Sequence, residues 1–297
     1  MFTGLSAFPL TPFKNEQVDA VAFARLIHKL VDARVNSICA MGSTGLYPYL
    51  SREEFSELAT TAVELAGNIP VMVGVGALRT DDVLRNIDIA QTAGVEAVLL
   101  APVSYHPLRD CEVYALYEKV TQHLSVPLCV YENPNVTNFV FSDDLYRHIT
   151  RLPNVAAIKI PGQSFHEDEG KKRLDQLRQL LPDNVAIGVS GDKFGAAGMA
   201  VGCDLWLSVL GGLFPNTVKY LISKAKEQGR EVAMQSSQKM EALWQLFTKN
   251  NGGMRVMATA ASILGLTEYE CLPHPLRPLD KEDRVILEAL ITELMLT

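Results

Sequence analysis

Lys159 stands at the end of a short apolar run, Val155-Ala156-Ala157-Ile158, and is followed by Ile160-Pro161-Gly162. The run predicts a strand covered on both faces, which would place the ammonium where little water reaches it. Burial disfavours the charged form of a lysine, and the neutral amine can attack a carbonyl to form a Schiff base. The alternative is an ordinary strand-end lysine that reaches water or pairs with a carboxylate.

Two other segments carry groups that Schiff-base chemistry needs. Tyr131 closes the run Leu128-Cys129-Val130 and could transfer protons to and from a carbinolamine. Gly42-Ser43-Thr44-Gly45 follows another apolar run and offers hydroxyls and backbone amides that could hold a carboxylate. Each also has a plainer interpretation, as an aromatic core residue and as a common turn between strand and helix.

Other patterns that could carry chemistry are incomplete. Gly74-Val75-Gly76-Ala77-Leu78-Arg79 lacks the third glycine of a dinucleotide-binding motif, and Asp192 stands where a nucleophile elbow needs glycine. The six histidines are scattered without metal-ligand spacing, so we expect no metal site. Gly211-Gly212 could bind phosphate, but no lysine or arginine stands directly beside it.

The candidate residues end apolar runs that alternate with amphipathic helical patterns, which is typical of βα units and a parallel sheet. Eight such runs occur before about residue 210. Eight strands covered on both faces favour a (β/α)8 TIM barrel over the alternative, a doubly wound open sheet. The runs begin at Gly4, Ser37, Val71, Ala97, Leu128, Val155, Val185 and Leu205.

From Pro215 onward the chain has amphipathic stretches but no strand pattern. We therefore predict a catalytic barrel over residues 1–225 and a C-terminal helical extension over residues 226–297. Ser51-Arg52-Glu53-Glu54 has the form of a capping box and predicts that a helix begins there. In a barrel of this kind the active site lies at the carboxyl ends of the strands, where the candidate residues are predicted.

The composition restricts the partners. The chain has 297 residues, 48% of them hydrophobic, and 27 basic against 34 acidic side chains give a net charge of −7. No basic stripe is available for nucleic acid. The absence of a signal-type opening and of any apolar stretch of about 18 residues predicts no membrane segment and a cytoplasmic protein. Five widely spaced cysteines are expected to be reduced and buried.

The residues quoted above resemble the motifs of the dihydrodipicolinate synthase / N-acetylneuraminate lyase family, and the similarity runs over nearly the whole chain. The glycine-flanked Ser-Thr segment resembles the family's G-[ST]-T-G motif, the tyrosine its Y-N-x-P motif, and the lysine its Schiff-base lysine. The resemblance implies a Schiff base on Lys159 with pyruvate or a related 2-oxo acid, proton transfer by Tyr131 with Ser43 as relay, carboxylate binding by Thr44, and a backbone carbonyl of Leu207 facing the keto acid.

Three departures from the family pattern concern the second substrate. Leu46 stands where a glutamate usually follows the G-[ST]-T-G motif. Val136 aligns with the arginine that holds the carboxylate of aspartate semialdehyde, which weighs against that acceptor. The tyrosine that crosses between subunits would fall at Ser104 or, with a shift of one residue, at Tyr105. We favour Tyr105 for the proton relay.

Taken together, the residues predict a class I lyase or aldolase that acts on a 2-oxo acid and an aldehyde acceptor, by making or breaking a C–C bond or by dehydration. No metal or organic cofactor is expected, because the protonated imine supplies the electrophile. The resemblance implies a homotetramer. Two alternatives remain: a genuine 4-hydroxy-tetrahydrodipicolinate synthase, which uses pyruvate and aspartate semialdehyde in lysine biosynthesis, and a non-catalytic relative that binds a small acid.

Overall fold

The computed structural model describes residues 1–166 and 169–297. Its strands are β1 (Gly4–Ala7), β2 (Phe13–Lys14), β3 (Gln17–Val18), β4 (Ser37–Ala40), β5 (Val71–Gly74), β6 (Ala97–Leu100), β7 (Leu128–Tyr131), β8 (Val155–Pro161), β9 (Ala186–Ser190) and β10 (Leu205–Ser208). β2 and β3 form a small antiparallel pair, and the other eight strands close into a parallel barrel in which β10 returns to pair with β1. The predicted (β/α)8 TIM barrel is confirmed.

Helices connect the barrel strands and continue beyond the last one. They are α1 (Ala20–Asp32), α2 (Arg52–Ala66), α3 (Thr80–Thr92), α4 (Asp110–Thr121), α5 (Pro134–Thr137), α6 (Asp143–Ile149), α7 (Gln163–His166), α8 (Gly170–Leu180), α9 (Asp192–Val201), α10 (Pro215–Gln238), α11 (Glu241–Lys249), α12 (Gly253–Ile263) and α13 (Lys281–Glu293). The predicted capping box starts α2: the Ser51 amide donates to the Glu54 carboxylate at 2.8 Å, and the Glu54 amide donates to the Ser51 hydroxyl at 3.2 Å.

The core has an outer layer and an inner cluster, because alternate strand residues point to opposite faces. The outer layer lies between the barrel and its helices. The inner cluster fills the barrel and consists of Phe8, Cys39, Met72, Ala97, Leu99, Ala101, Cys129, Tyr131, Ala157, Leu205 and Leu207. Met1 and Phe2, which precede β1, pack against it. We infer that they cover the amino-terminal end and leave the carboxyl end as the entrance.

The register of β7, β8 and β9 aligns the residues of greatest chemical interest. Tyr131 pairs with Lys159, and Lys159 pairs with Gly188 on the other side. The Glu132 amide donates to the Lys159 carbonyl at 2.9 Å, which continues the pairing one residue past β7. Tyr131 belongs to the inner cluster, so its register partner Lys159 also points into the barrel.

Three short elements were not predicted. The β2–β3 hairpin turns through Asn15 and Glu16, whose φ values are 53° and 62°. α5 and α7 have four residues each, which is too short for a helical pattern to emerge from the sequence.

The C-terminal helices are attached to the barrel by specific contacts. Lys193 on α9 forms a salt bridge with Glu241 on α11 at 3.1 Å, and the Thr217 amide of α10 donates to the carbonyl of Thr297 at 2.9 Å. The predicted boundary between residues 225 and 226 lies within α10, shortly before Gly229, where a φ of 81° interrupts the helix. A separate extension over residues 226–297 remains a prediction.

The structure bears on two expectations, one about membrane-spanning helices and one about the burial of the cysteines. In the described part of the chain, no helix is long and apolar enough to cross a membrane. Four cysteines are buried as expected, but Cys111 is exposed, because it lies in the first turn of α4 on the side that faces solvent. The expectation that all five are buried was therefore wrong at this position.

Gly195 on α9 is packed against the ring of Trp206 on β10, and a β-carbon at this position would overlap the indole. We expect Gly195→Ala to lower the free energy of unfolding by about 1–3 kcal/mol, since overpacking costs more than the gain in helix propensity. Urea denaturation measures the change. A double-mutant cycle with Trp206→Phe is the control, because the smaller ring makes room for the methyl group. An equal loss in both backgrounds would contradict the proposed clash.

Candidate active site

Lys159 lies near the end of β8 with its side chain inside the barrel, and only 3% of it is exposed. Its Nζ sits between two aromatic rings, 3.7 Å from the ring centroid of Tyr131 and 4.0 Å from that of Phe8. The inner cluster lies beneath it. The structure therefore places the predicted lysine in an apolar slot near the carboxyl end of the barrel.

Tyr131 ends β7 and is 6% exposed. Its hydroxyl oxygen accepts a hydrogen bond from Nδ2 of Asn133 at 2.7 Å. The Asn133 carbonyl accepts hydrogen bonds from the Thr137 amide at 3.0 Å and from the Thr137 hydroxyl at 2.9 Å, so the first bonds of α5 are made to the Asn133 backbone. The side chain does not cap that helix and is left to orient the phenol. Asn133 was not predicted as a site residue.

The Gly42-Ser43-Thr44-Gly45 turn follows β4 at the same end of the barrel. Left-handed residues precede and follow it, Met41 with φ 51° and Leu46 with φ 59°, which makes the turn sharp. Thr44 is buried and Ser43 half-buried. A β-carbon on Gly42 would lie 2.6 Å from Cδ1 of Phe8, so the turn packs directly on the ring that contacts Lys159.

Asp192 organises the chain after β10. Its carboxylate accepts hydrogen bonds from Trp206 Nε1 at 3.0 Å, from the Ser208 hydroxyl at 2.5 Å and from the Leu210 amide at 2.9 Å. Burial raises the pKa of this carboxyl above its ordinary value, while the three donors oppose the rise. The network fixes the segment that follows Leu207, which is itself buried inside the barrel.

The amides of Gly211 and Gly212 are already used within the protein. The Gly211 amide donates to the Ser208 hydroxyl at 2.8 Å, and the Gly212 amide donates to the Val209 carbonyl at 3.1 Å. They therefore do not form the phosphate site that the sequence left open. Across residues 1–166 and 169–297, no three histidine, cysteine, aspartate or glutamate side chains cluster as a metal site would require.

The thiols and one further phenol near the slot stay protonated. Burial raises the pKa of Cys129 to about 12 and that of Cys39 still higher, and the positive charge of Lys159 opposes both shifts. Burial is also the main cause of the raised pKa of Tyr47, with a smaller contribution from Tyr131. Tyr47 follows the Gly42–Gly45 turn and was missed because nothing in its sequence context marks it.

Tyr105 and Val136 do not join the slot of their own chain. Tyr105 is 87% exposed, and its ring contacts His106 edge to face with centroids 5.2 Å apart. The alternative residue Ser104 donates its hydroxyl to the His106 carbonyl at 2.6 Å. Val136 is 61% exposed on α5. The relay role of Tyr105 therefore stays a prediction.

Glu132 points away from the barrel interior and anchors the loop behind Tyr131. Its carboxylate accepts from the Phe141 amide at 3.0 Å and from the Tyr146 hydroxyl at 2.7 Å. Burial raises the pKa of Glu132, and these donors together with the Arg173 charge oppose the rise. The residue thus connects the end of β7 to α6 without entering the slot.

Comparison with known proteins covers the whole chain. The Dihydrodipicolinate synthetase family matches residues 1–294. A 4-hydroxy-tetrahydrodipicolinate synthase of Rickettsia typhi is 27% identical over 296 residues, covering 99% of this chain and 98% of the relative. A crystal structure of a dihydrodipicolinate synthase from Agrobacterium tumefaciens is similar with 40% identity and a TM-score of 0.92, covering 99% of this chain and 98% of that one. The corresponding enzyme from Aquifex aeolicus gives 25% identity, a TM-score of 0.88 and coverage of 100% and 99%.

The raised pKa of Glu132 predicts a pH-dependent stability. A carboxyl whose pKa is higher in the folded than in the unfolded state contributes stability at low pH that is lost as pH rises through the folded value. Glutamine does not titrate, so Glu132→Gln cannot lose this contribution. The stability of the variant relative to the wild type should therefore increase as pH rises above about 4.3.

Urea midpoints measured between about pH 4 and pH 8 check this trend. Glu57→Gln, at an exposed position on α2, is the matched control. A stability difference between Glu132→Gln and the wild type that stays constant with pH would show that the carboxyl does not titrate as described.

Proposed function

The chain belongs to the dihydrodipicolinate synthetase family, and we propose that it is a class I lyase or aldolase that forms a Schiff base between Lys159 and pyruvate or another 2-oxo acid. The observation that carries the proposal is the position of the Lys159 side chain. Its nitrogen is buried near the carboxyl end of the barrel and lies against the tyrosine that is its register partner. A buried amine beside a phenol is suited to carbonyl addition and proton transfer.

In the proposed reaction the neutral amine of Lys159 attacks the ketone carbon of the 2-oxo acid. The C–N bond forms, the carbonyl oxygen takes one proton from the nitrogen and a second from solvent by way of Tyr131 and leaves as water, and the nitrogen then carries the positive charge of the iminium. Tyr131 supplies and removes the protons from the neighbouring strand. Loss of a proton from the adjacent carbon then gives an enamine that can add to an aldehyde, and the reverse sequence cleaves the bond.

The remaining predicted residues have supporting roles in this proposal. Thr44 and the amides of its turn hold the carboxylate of the keto acid, and the Leu207 backbone carbonyl faces the same molecule. Ser43 relays protons to Tyr131. The sharp turn between Met41 and Leu46 supports these roles, because it is fixed at the carboxyl end of β4 beside the ring of Phe8.

We propose that Tyr105 completes the proton relay of a neighbouring subunit in a homotetramer. Its ring lies on the surface of its own chain, where it is free to contact a second copy. A large aromatic side chain with this exposure is typical of residues that become buried in an interface.

For the second substrate we propose an aldehyde, with dehydration of a 2-oxo acid as the other reaction open to the same iminium. A genuine 4-hydroxy-tetrahydrodipicolinate synthase is the second candidate, since curated relatives of nearly full length carry that name. Val136 argues against it, because an apolar side chain cannot hold the carboxylate of aspartate semialdehyde as an arginine would. Turnover of pyruvate with aspartate semialdehyde, compared with uncharged aldehydes, separates the two candidates.

We further propose that the protein acts in the cytoplasm. Each of the five cysteines is free. Unpaired thiols are typical of proteins in a reducing compartment.

Reduction with borohydride in the presence of pyruvate should leave a stable adduct on Lys159. Lys159→Met should abolish the adduct, because the apolar replacement has a similar length but no nucleophile. Mass spectrometry of the intact protein and of its peptides gives the result, and circular dichroism checks the fold.

Lys119→Met, at an exposed position on α4, is the matched control for this experiment and should be trapped like the wild type. A wild-type protein that is trapped by no 2-oxo acid would overturn the proposed mechanism and favour the non-catalytic alternative.

Asn133→Leu should slow the exchange of pyruvate methyl protons with deuterated water by about 10–100-fold, because the phenol loses the donor that orients it. The exchange reports enamine formation and needs no second substrate. NMR follows the loss of the methyl signal.

Asn135→Leu, an exposed neighbour on α5, should exchange at the wild-type rate. Trapping of Asn133→Leu at long incubation should still reach the wild-type extent, because the residue affects the rate and not the nucleophile. Equal exchange rates in Asn133→Leu and wild type would rule out this role of Asn133.

A further inference from the structure

The Lys159 nitrogen is in close contact with the ring of Phe8 as well as with that of Tyr131. Phe8 follows β1 and is 1% exposed. The nitrogen lies 4.0 Å from the centroid of its ring and 3.7 Å from that of Tyr131. Both distances are within the range in which a cation is attracted by an aromatic face. The ammonium therefore contacts two aromatic rings.

The position of this ring is fixed by its surroundings. The Phe8 amide donates to the Ser208 carbonyl at 3.0 Å, which extends the β1–β10 pairing past the end of β1. The ring lies against Gly42, where a β-carbon would come within 2.6 Å of it. Because glycine leaves this space empty, the ring can reach the nitrogen while it contacts the Gly42–Gly45 turn.

The electrostatic surroundings of Lys159 give the ring a function beyond filling space. Among the residues that the structure describes, none forms a salt bridge with Lys159, and the buried Asp192 carboxylate attracts the ammonium only from beyond contact distance. The inner cluster beneath it is apolar. A desolvated cation gains more from an aromatic face than an exposed one does.

We propose that Phe8 is a catalytic residue that stabilises the positive charge of the Lys159 nitrogen through a cation–π interaction. The ring favours the ammonium before reaction and the iminium after water has left, relative to the neutral amine and carbinolamine between them. The statement about the iminium rests on the proposed function, whereas the statement about the ammonium does not. An apolar side chain of the same shape would fill the space but would not favour either cation.

Fluorination of the ring separates these two possibilities, because fluorine withdraws charge from the aromatic face and changes its shape little. Phe8 is replaced in turn by 4-fluoro-, 3,5-difluoro- and 3,4,5-trifluorophenylalanine through stop-codon suppression. The same series at Phe23, a buried ring on α1 in the outer layer, is the matched control. Thermal unfolding checks that each variant is folded.

The first measurement is competitive acetylation of Lys159 with acetic anhydride as a function of pH, read by mass spectrometry of its peptide. We expect the pH midpoint of labelling to fall stepwise with fluorine number, by about one pH unit over the Phe8 series. The midpoint falls because an ammonium with a weaker cation–π interaction loses its proton at lower pH.

The other ionisable groups whose charges act on this site or belong to it are the same in every variant. They are Tyr131, Cys39, Cys129 and Asp192. A midpoint that does not move across the Phe8 series overturns the proposal, and so does an equal movement in the Phe23 series.

The second measurement is the pyruvate concentration that gives half-maximal borohydride trapping, taken at a pH above the acetylation midpoint found for each variant, where the free amine is neutral. It should rise with fluorine number in the Phe8 series, because the iminium loses stabilisation relative to the neutral forms. If the wild type is trapped by no 2-oxo acid, the proposed function fails while the acetylation series still decides the role of Phe8. If trapping occurs but does not respond to fluorination, the role of Phe8 at the iminium fails and the proposed function stands.

Discussion

Lys159 is a cationic side chain inside a closed barrel whose interior is largely apolar, and removing a charge from water costs several kcal/mol unless something compensates. The barrel reduces this cost in two ways. It places the nitrogen near the carboxyl end, which we infer to be open to water, and it brings two aromatic faces within about 4 Å of it. The same surroundings hold the nitrogen against the ring of Tyr131, the residue that we propose moves the protons.

The strand register transmits this constraint to the rest of the fold. A shift of one residue between β7 and β8 would turn either Tyr131 or Lys159 out of the barrel. The register of Lys159 is supported by the bond from the Glu132 amide to its carbonyl and by its pairing with Gly188 on β9. The position of the nitrogen is therefore a property of the closed sheet, more than of the loops around it.

Features that follow from a pattern over several residues could be predicted from the sequence. Features that depend on a single contact between distant residues could not. The eight strands, the capping box at Ser51 and the candidate positions at Lys159 and Tyr131 follow from patterns that extend over several residues. Phe8 was missed as part of the slot because its role depends on Gly42, which is distant in the sequence. Asn133 was missed because an asparagine before a short helix is equally consistent with a side-chain N-cap, and only its bond to the Tyr131 hydroxyl shows how the side chain is used.

The segment Tyr131-Glu132-Asn133 also shows where this chain can differ from its relatives without losing the lysine. Tyr131 points into the barrel, Glu132 is held outside it by Tyr146, and Asn133 points back to the phenol, so the strand alternation continues past the end of β7. A change at position 132 therefore affects the attachment of the loop to α6 and leaves the slot as it is. A change at position 133 alters the contact that holds the phenol of Tyr131. One loop residue can thus alter the orientation of the phenol, while the position of the Lys159 nitrogen is set by the strands.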